Sequence, residues 1–439
     1  MKWAAFSFLR GFVVALRGSL LSRSLASAPF VGLLAAYTLT QFSEGMTQTA
    51  LTWIAFRIRH NDVTLVGRIG LLQTIIPFLI LIPAGVLIDL LPRQIFMAAI
   101  NLFKGATYAI IPLMSLFEPL RTPTLLTVVV VTALFSAGFG PAFNAAIPGF
   151  VPTDRLKHAN GWIQIAGQGG YFLGPLVTAG LLLYFPAPWL LVVSGGGFVL
   201  SAFLLALIPP PLDPLERRRI EGKGHDPGHS PRDEGSSRAG MVSGFLHSAG
   251  ILLKNPVLML CSLLLMLFAL FNAPMSLVFP LLSSQVFRTP PSFYALLSGA
   301  YFLGSFLGGG LLLGRRLPGH FSLISGGMLL ASGAFLLLPV LPWPSAGFLF
   351  LILIGVGLSW AQPLAYARIQ QIVPSLALGR VLAVVMTLFL LAAIVGIEGG
   401  TLFLHRHPVT AFLHIEGGIL FVVSAGVLLL VTLFRSRLS

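Results

Sequence analysis

The chain has 439 residues, of which 56% are hydrophobic and only 9% are charged, and its mean hydropathy is +0.92. Soluble domains are about one-quarter charged, so this composition excludes an ordinary soluble protein and indicates an integral membrane protein. The single cysteine, Cys261, excludes an internal disulfide. The net charge of +14 is explained below by the distribution of the basic residues, which does not favour nucleic-acid binding.

Residues 1–28 combine arginines with apolar side chains. Arg10 and Arg17 are seven residues apart and share one helical face, a pattern typical of a helix that lies on the membrane surface. The sequence Ala26-Ser27-Ala28 is similar to a signal-peptide cleavage site, but arginines within the apolar stretch argue against a secretory signal. We expect a cytoplasmic, interfacial N-terminal segment.

Twelve apolar spans follow, and each reaches the length of about 20 residues that crosses a bilayer core. They are residues 29–55, 64–88, 94–117, 122–148, 158–184, 188–208, 254–282, 292–313, 319–340, 345–372, 379–404 and 409–434. The predicted fold is an all-α membrane protein with two six-helix bundles, residues 29–208 and 254–434. Between them, residues 209–245 are rich in charged residues, Pro, Gly and Ser, which predicts a cytoplasmic linker. The linker region, residues 209–253, ends in a predicted interfacial segment, residues 242–253.

The basic residues predict the orientation. With the N-terminus inside, twenty Lys and Arg residues fall on the cytoplasmic side and six on the outer side. The positive-inside rule therefore places both termini in the cytoplasm. On this interpretation the net charge reports topology and attraction to anionic lipid.

Glycine is concentrated in one span, GWIQIAGQGGYFLGPLVTAG, which runs from Gly161 to Gly180. Gly161, Gly170 and Gly174-Pro175 favour close approach of two helix backbones and a bend that neighbouring helices accommodate. Two interpretations are open: an interface that moves, or an ordinary tightly packed helix. The spacing resembles the fifth-helix motif of exporters in the major facilitator superfamily.

The two halves also repeat. Gly174 matches Gly396, and Val151-Pro152 matches Val373-Pro374, at the same offset in the chain. Two six-helix bundles joined by a long linker resemble the major facilitator fold, which implies a central path between the halves. The segment from Gly85 through Asp89 to Arg93 resembles the superfamily's loop motif, in which the acid pairs with a basic residue or a helix end and the pairing breaks as the bundles rock.

Within the superfamily, the chain is similar to the bacterial enterobactin and macrolide exporters. Ser43-Glu44-Gly45, Ala159-Asn160 and Gly379-Arg380-Val381 support this resemblance. It implies a monomeric secondary transporter of the bacterial inner membrane that exports a small amphipathic or hydrophobic molecule in exchange for protons. A lysophospholipid or other lipid transporter of the same fold is the alternative. No phosphate-binding loop of the Gly-x-x-x-x-Gly-Lys-Ser/Thr type is present, and we expect neither a cofactor nor enzymatic activity.

Span one contains a polar stripe. Tyr37, Gln41, Glu44 and Gln48 are spaced by four, three and four residues, so they share a helical face that we expect to line the central cavity. Partial burial would raise the pKa of the Glu44 carboxyl group towards neutrality, where it can take up and release protons under physiological conditions. We therefore predict that Glu44 couples protons or anchors a cationic substrate. A structural glutamate bonded to neighbouring helices is the alternative.

Two further ionisable residues lie in the spans. Lys104 follows Arg93 by eleven residues, roughly 16 Å into the membrane. It is expected to pair with Glu44 or to bind an anionic group of the substrate, with snorkelling as the alternative. Glu398 is either a second protonation site or a polar residue near the outer mouth. Other polar residues are expected to line the cavity or to pack between helices: Asn144, Gln168, Tyr171, Asn272, Trp360 and Gln362.

Overall fold

The computed structural model describes residues 28–58, 62–90, 92–117, 120–151, 156–208, 250–313, 320–341, 343–373 and 375–433, and within these ranges the chain is helical without strands. The N-terminal half contains α1 (Ala28–Ile58), α2 (Thr64–Leu90), α3 (Arg93–Ser115), α4 (Thr122–Ser136), α5 (Phe139–Phe150), α6 (Leu156–Leu181) and α7 (Ala187–Leu207). The C-terminal half contains α8 (Pro256–Asn272), α9 (Met275–Leu281), a π-helical turn (Leu282–Val286), α10 (Pro291–Leu313), α11 (His320–Leu337), α12 (Pro344–Ser359), α13 (Ala361–Ile372), α14 (Ser375–Arg406) and α15 (Val409–Leu433).

Each predicted span coincides with one helix or with a helix broken in two. Eight helical stretches within the described ranges are long and apolar enough to cross a membrane. Helix α1 has 31 residues and is long enough as well, but its polar side chains lower its hydropathy. The predicted all-α membrane fold is confirmed. Residues 1–27 of the N-terminal segment, residues 209–249 of the linker region, Pro152 and Pro374 lie outside the described residues.

Two helix breaks repeat between the halves. Span four is broken at Ala137-Gly138, between α4 and α5, and span ten is broken at Trp360, between α12 and α13. Trp360 follows Gly138 at the same offset that relates Gly174 to Gly396. The internal repeat therefore extends to interruptions that apolar periodicity alone did not predict.

Within each half, equivalent pairs of helices pack together. In the N-terminal half α1 lies against α6 and α7, and α3 lies against α7; in the C-terminal half α8 lies against α14, α10 against α12, and α11 against α15. The two halves meet along α6 with α10 and along α2 with α14. These contacts place α1, α2, α6, α8, α10 and α14 around the molecular centre.

The predicted glycine contacts are present. A Cβ atom on Gly174 would lie 2.6 Å from the carbonyl oxygen of Phe42, and one on Gly170 would lie 3.2 Å from Cβ of Gln41, so any side chain would force α6 away from α1. Gly396 repeats this arrangement, because its Cβ would lie 3.2 Å from Cα of Leu270 on α8. Close packing is thus confirmed, whereas motion at this interface stays a prediction. Pro175 lies inside α6.

Candidate functional site

A cavity of about 450 Å³ lies between the two halves, within the range of roughly 300–1,000 Å³ that is typical of ligand sites. Its walls come from α1, α2 and α6 on one side and from α8, α9, α10 and α14 on the other. The polar and aromatic residues that line it are Tyr37, Gln41, Gln48, Thr49, Thr52, Gln73, Thr74, Gln168, Tyr171, Asn272, Ser276, Phe279, Tyr294, Ser298, Tyr301 and Phe302.

The lining combines aromatic rings with amide and hydroxyl groups. None of the described residues that line the cavity carries a formal charge. Phenol, amide and hydroxyl groups donate and accept hydrogen bonds, while the rings provide apolar contact area. Such a surface suits an amphipathic molecule with several hydrogen-bonding groups.

The polar stripe of span one divides between two environments. Tyr37, Gln41 and Gln48 line the cavity as predicted, but Glu44 is absent from the described lining. Instead Oε1 of Glu44 accepts a hydrogen bond from Nζ of Lys104 on α3. The expectation that all four residues face the cavity was therefore wrong for Glu44, because its carboxylate turns towards the nearest cation.

The Glu44–Lys104 ion pair is unequally exposed. The side chain of Lys104 is 3% exposed and that of Glu44 is 32% exposed. The ammonium group also lies 4.6 Å above the ring centre of Phe198 on α7, a cation–π contact that helps to replace lost hydration. Among the alternatives for Lys104, pairing with Glu44 is confirmed. Of the two side chains, that of Glu44 is the less deeply buried within the protein.

Tyrosine connects this pair with the cavity. The phenols of Tyr171 on α6 and Tyr108 on α3 both interact electrostatically with Glu44. Tyr171 also lines the cavity and packs edge-on against Phe302 of α10, with ring centres 4.7 Å apart. Tyr171 therefore touches both the cavity and the opposite half.

A buried network beside the pair was missed by sequence reasoning. Nδ2 of Asn101 on α3 donates to Oγ1 of Thr40, at 2.8 Å, and to Oγ of Ser201, at 3.1 Å. Oγ1 of Thr47 donates to Oγ of Ser194 at 2.9 Å. The network joins α1, α3 and α7 and fixes the helices that carry the ion pair. The available signal was the three-residue spacing of Asn101 and Lys104, which places both on one face of α3.

The cavity is closed at the end where α1 leads into α2. We call this the closed end and define it by Thr49, Asp62, Gly67, Tyr294, Thr401 and His405. The phenol of Tyr294 donates to the carbonyl oxygen of Thr49 at 3.2 Å, and its ring stacks on Trp53 at 5.3 Å. A Cβ atom on Gly67 of α2 would lie 3.0 Å from Cβ of Thr401 on α14. The halves are thus in direct contact here.

An ionisable pair bridges the halves at the same end. Nδ1 of His405 lies 3.6 Å from Oδ1 of Asp62. Burial raises the pKa of Asp62. Hydrogen bonds from the side chain and backbone of Thr64, together with the nearby His405, lower the pKa by more than burial raises it, so it lies below its ordinary value. Asp62 also precedes α2, and its Oδ1 accepts the backbone N–H of Thr64, the first residue of that helix, at 3.1 Å.

The other predicted residues occupy varied positions. Gln168, Tyr171 and Asn272 line the cavity. Glu398 is half-buried on α14, and neither it nor Asn144, Trp360 or Gln362 belongs to the described lining. Nε1 of Trp360 donates instead to the carbonyl oxygen of Gly308 at 2.9 Å, so it serves helix packing. Gly85 and Asp89 lie in α2, and Gly161 lies in α6. The contacts of these three residues are not among those described. Arg93 is the first residue of α3.

Comparison with known proteins supports one family. The sequence profile of the Major Facilitator Superfamily matches residues 33–397. Macrolide efflux protein A of Streptococcus pyogenes is 22% identical over 365 residues, which cover 80% of this chain and 83% of that protein. Macrolide efflux protein A of Enterococcus faecalis is 22% identical over 338 residues, which cover 73% and 96%.

Solved structures share the fold. A bacterial homologue of the human lysosomal transporter Spinster, in an inward-facing and unoccupied conformation, superposes with a TM-score of 0.62 at 16% identity and covers 93% of this chain and 96% of that one. A POT family transporter in complex with 5-aminolevulinic acid gives a TM-score of 0.68 at 12% identity, with coverage of 93% and 96%. With the family profile across most of its length and the same helical architecture, the chain belongs to the Major Facilitator Superfamily and is a multi-pass membrane transporter, not an enzyme.

Proposed function

We propose that this protein is a proton-coupled exporter of a small amphipathic molecule, working by alternating access in a bacterial inner membrane as a monomer with both termini in the cytoplasm. The family assignment and the two efflux relatives support export. The observation that carries the proposal is the Glu44–Lys104 pair, with its ammonium group buried, beside the cavity between the halves. Macrolides are the first substrates to test, because of the names of those relatives.

The lining of the cavity supports a particular class of substrate. Since the described lining residues are uncharged, recognition rests on apolar contact with Phe279 and Phe302 and on hydrogen bonds to groups such as Gln41, Gln168 and Asn272. This arrangement favours a molecule with an apolar skeleton and scattered oxygen or nitrogen atoms. Glu44 is occupied by Lys104 in this conformation, which favours its coupling role over direct anchoring of a cation.

The ion pair supports proton coupling. A buried charge is costly without its partner, by about 3–5 kcal/mol, so Lys104 and the ionised form of Glu44 hold each other in place. Protonation of Glu44 would leave Lys104 without a counter-charge at a position 3% exposed. Relief requires movement of α3 or α1, and α1 packs tightly on α6, which in turn contacts α10 of the other half. Proton binding is thus linked to the interface between the halves.

Transport in reconstituted vesicles tests this proposal. The wild-type protein should expel a fluorescent macrolide or dye when a proton gradient is imposed and should be silent without one. Lipid flipping by the wild-type protein, measured with labelled lysophospholipid in the same vesicles, would favour the lipid-transporter alternative. No gradient-dependent movement of either class would overturn the proposal.

A pair of variants separates coupling from folding. Glu44→Gln leaves Lys104 buried without a counter-charge, whereas Glu44→Gln combined with Lys104→Met removes both charges and restores a neutral, well-packed site. We expect the double variant to regain stability, to retain substrate binding and to lose gradient-driven transport. Gradient-driven transport at the wild-type rate in the double variant would show that the pair is structural.

A further inference from the structure

We propose that the central cavity selects a facially amphipathic solute, that is, a rigid molecule with its hydrogen-bonding groups on one face and an apolar opposite face. The N-terminal half holds the polar face of the solute, and the C-terminal half holds the apolar face. This inference deepens the proposed function and rests on it, because it names the class of substrate for the same cavity.

The cavity wall from the N-terminal half is polar. Its described lining residues are all Gln, Thr, Tyr or Gly. Two of the threonines are occupied, because Oγ1 of Thr49 and Oγ1 of Thr74 each donate to a carbonyl oxygen of their own helix at 2.8 Å. The amides and phenols of this side make no hydrogen bond among the described contacts. We call them the polar wall: Tyr37, Gln41, Gln48, Gln73, Gln168 and Tyr171.

The polar wall is open to a ligand. Its side chains are half-buried, and that of Gln168 is exposed. Each amide offers both N–H donors and a carbonyl acceptor, and each phenol both donates and accepts. Gln41 and Gln48 are seven residues apart on α1, which is about 10 Å along the helix axis. The wall can therefore satisfy several hydroxyl or carbonyl groups that are spread along one face of a solute.

The wall from the C-terminal half presents apolar side chains. Phe302 packs on the ring of Tyr301 with ring centres 5.4 Å apart, and Phe279 packs on the same ring at 5.6 Å. These contacts hold the rings together as one surface, which an apolar face can cover with loss of its hydration water. We call the apolar side chains of this half the apolar wall: Ala273, Met275, Phe279, Phe302, Ala393 and Ile397.

The hydroxyl groups on the C-terminal side are already used within the protein. Oγ of Ser276 and Oγ of Ser298 donate to backbone carbonyl oxygens three and four residues earlier, at 3.5 and 3.3 Å. The phenol of Tyr294 donates to a carbonyl oxygen of α1 at 3.2 Å, and that of Tyr301 donates to Oδ1 of Asn272. Asn272 still offers its amide nitrogen, but the hydroxyl protons of this side are taken.

Equivalent positions in the two halves differ in chemistry. Tyr171 and Ala393 lie three residues before Gly174 and Gly396, the pair that repeats between the halves. Both line the cavity, yet one presents a phenol and the other a methyl group. A bound solute therefore meets two chemically different surfaces on symmetric helices.

The two walls select by penalty as well as by attraction. A solute hydroxyl that faces the polar wall exchanges water for an amide or phenol partner. A hydroxyl that faces the apolar wall loses its water without gaining a partner, which is costly. Specificity for a facially amphipathic solute follows from the sum of both effects.

Binding of two epimers to the full-length protein in lipid nanodiscs tests this inference. The probes are the methyl esters of two dihydroxy bile acids, one with both hydroxyls on the same face of the steroid and one with a hydroxyl on each face. The one-faced epimer should bind at least about five-fold more tightly, the worth of one hydrogen bond, by titration calorimetry against empty nanodiscs. Equal affinities, tighter binding of the two-faced epimer, or no binding of the one-faced epimer would overturn the proposal.

Two variants with side chains of similar shape test the walls separately. Gln168→Met removes an amide from the polar wall and should weaken binding of the one-faced epimer. Met275→Gln adds an amide to the apolar wall, where the native side chain is 3% exposed, and should strengthen binding of the two-faced epimer. Gln370→Met, at an exposed position on α13 outside the described lining, is the matched control and should keep the wild-type ratio. A wild-type ratio in either wall variant would contradict the assignment of that wall.

The binding assay separates this inference from the proposed function. It uses no proton gradient, so a difference between the epimers establishes the two walls even if the vesicle assay shows no export. Gradient-driven export together with equal binding of the epimers would refute the inference and leave the proposed function standing.

Discussion

Tyr294 of α10 joins the two halves, because its phenol donates a hydrogen bond to the backbone carbonyl oxygen of Thr49 on α1. The ring is 2% exposed and stacks on Trp53, so the contact is shielded from water. Gly67 with Thr401 and Asp62 with His405 complete the same closed end. A transporter that opens here must break all of these contacts together.

Removal of the Tyr294 hydroxyl should shift the balance between closed and open conformations. Tyr294→Phe retains the ring but loses a hydrogen bond, which contributes about 1 kcal/mol. We expect the closed end to open more often, by roughly five-fold in population. Spin labels at positions 58 and 407 would report this as a larger share of long distances. Tyr184→Phe, at an exposed position on the loop after α6, is the matched control, and equal distance distributions for Tyr294→Phe and the wild type would refute the expectation.

The closed end should weaken in acid through Asp62. Its pKa is lowered first by hydrogen bonds from Thr64, which are local to the start of α2, and then by His405 of the other half, so the His405 contribution is the part by which the closed contact favours the ionised carboxylate. The stabilisation is fully present above the ordinary carboxyl pKa of about 4 and is lost as pH falls through the lowered value. Because both side chains are partly exposed, solvent screening keeps the effect small. The same labels should show opening in acid for the wild type, and Asp62→Asn should remove this dependence; an identical acid response of the two proteins would argue against Asp62 as its source.

The two single variants of the ion pair should differ in stability. Glu44→Gln leaves a cation at a position 3% exposed, whereas Lys104→Met leaves a carboxylate that is 32% exposed and therefore less deeply buried. The first should therefore lower the free energy of unfolding more, towards the upper part of the range of about 3–5 kcal/mol. Thermal unfolding in detergent measures the difference. Equal losses would indicate that both charges reach water in the same way.

Glycine packing should be required in both halves. Gly174→Ala and Gly396→Ala place a methyl group against the backbones of α1 and α8, and such overpacking costs about 1–3 kcal/mol. Gly180→Ala and Gly399→Ala are matched controls, because no atom lies within 4 Å of a Cβ at either position. The controls should unfold at or slightly above the wild-type temperature. Comparable losses at all four positions would mean that helix propensity, and not backbone contact, determines the effect.

Sequence reasoning predicted the features that depend on composition and spacing. Apolar length defined the spans, and the glycines of α6 predicted a close contact that Gly174 makes with Phe42. Lys104 and Glu44 were matched because an unpaired charge in a membrane is costly. These inferences need only the chemistry of a residue and its depth.

The features that were missed depend on which neighbour a helix face meets. Glu44 and Gln41 share a face in the sequence, yet only Gln41 lines the cavity, because α3 supplies a cation on the flank of that face. Tyr294 and Thr49 are far apart in the chain, and their hydrogen bond follows from the arrangement of the halves.

Reciprocal opening of the two ends is the most direct test of transport through this cavity. Pulsed EPR on protein in lipid would compare one label pair at positions 58 and 407, across the closed end, with a second pair at exposed positions 95 and 371, at the opposite end. Addition of substrate and a proton gradient should lengthen one distance while it shortens the other. Distances that change together, or do not change at all while substrate is transported, would contradict alternating access between the halves.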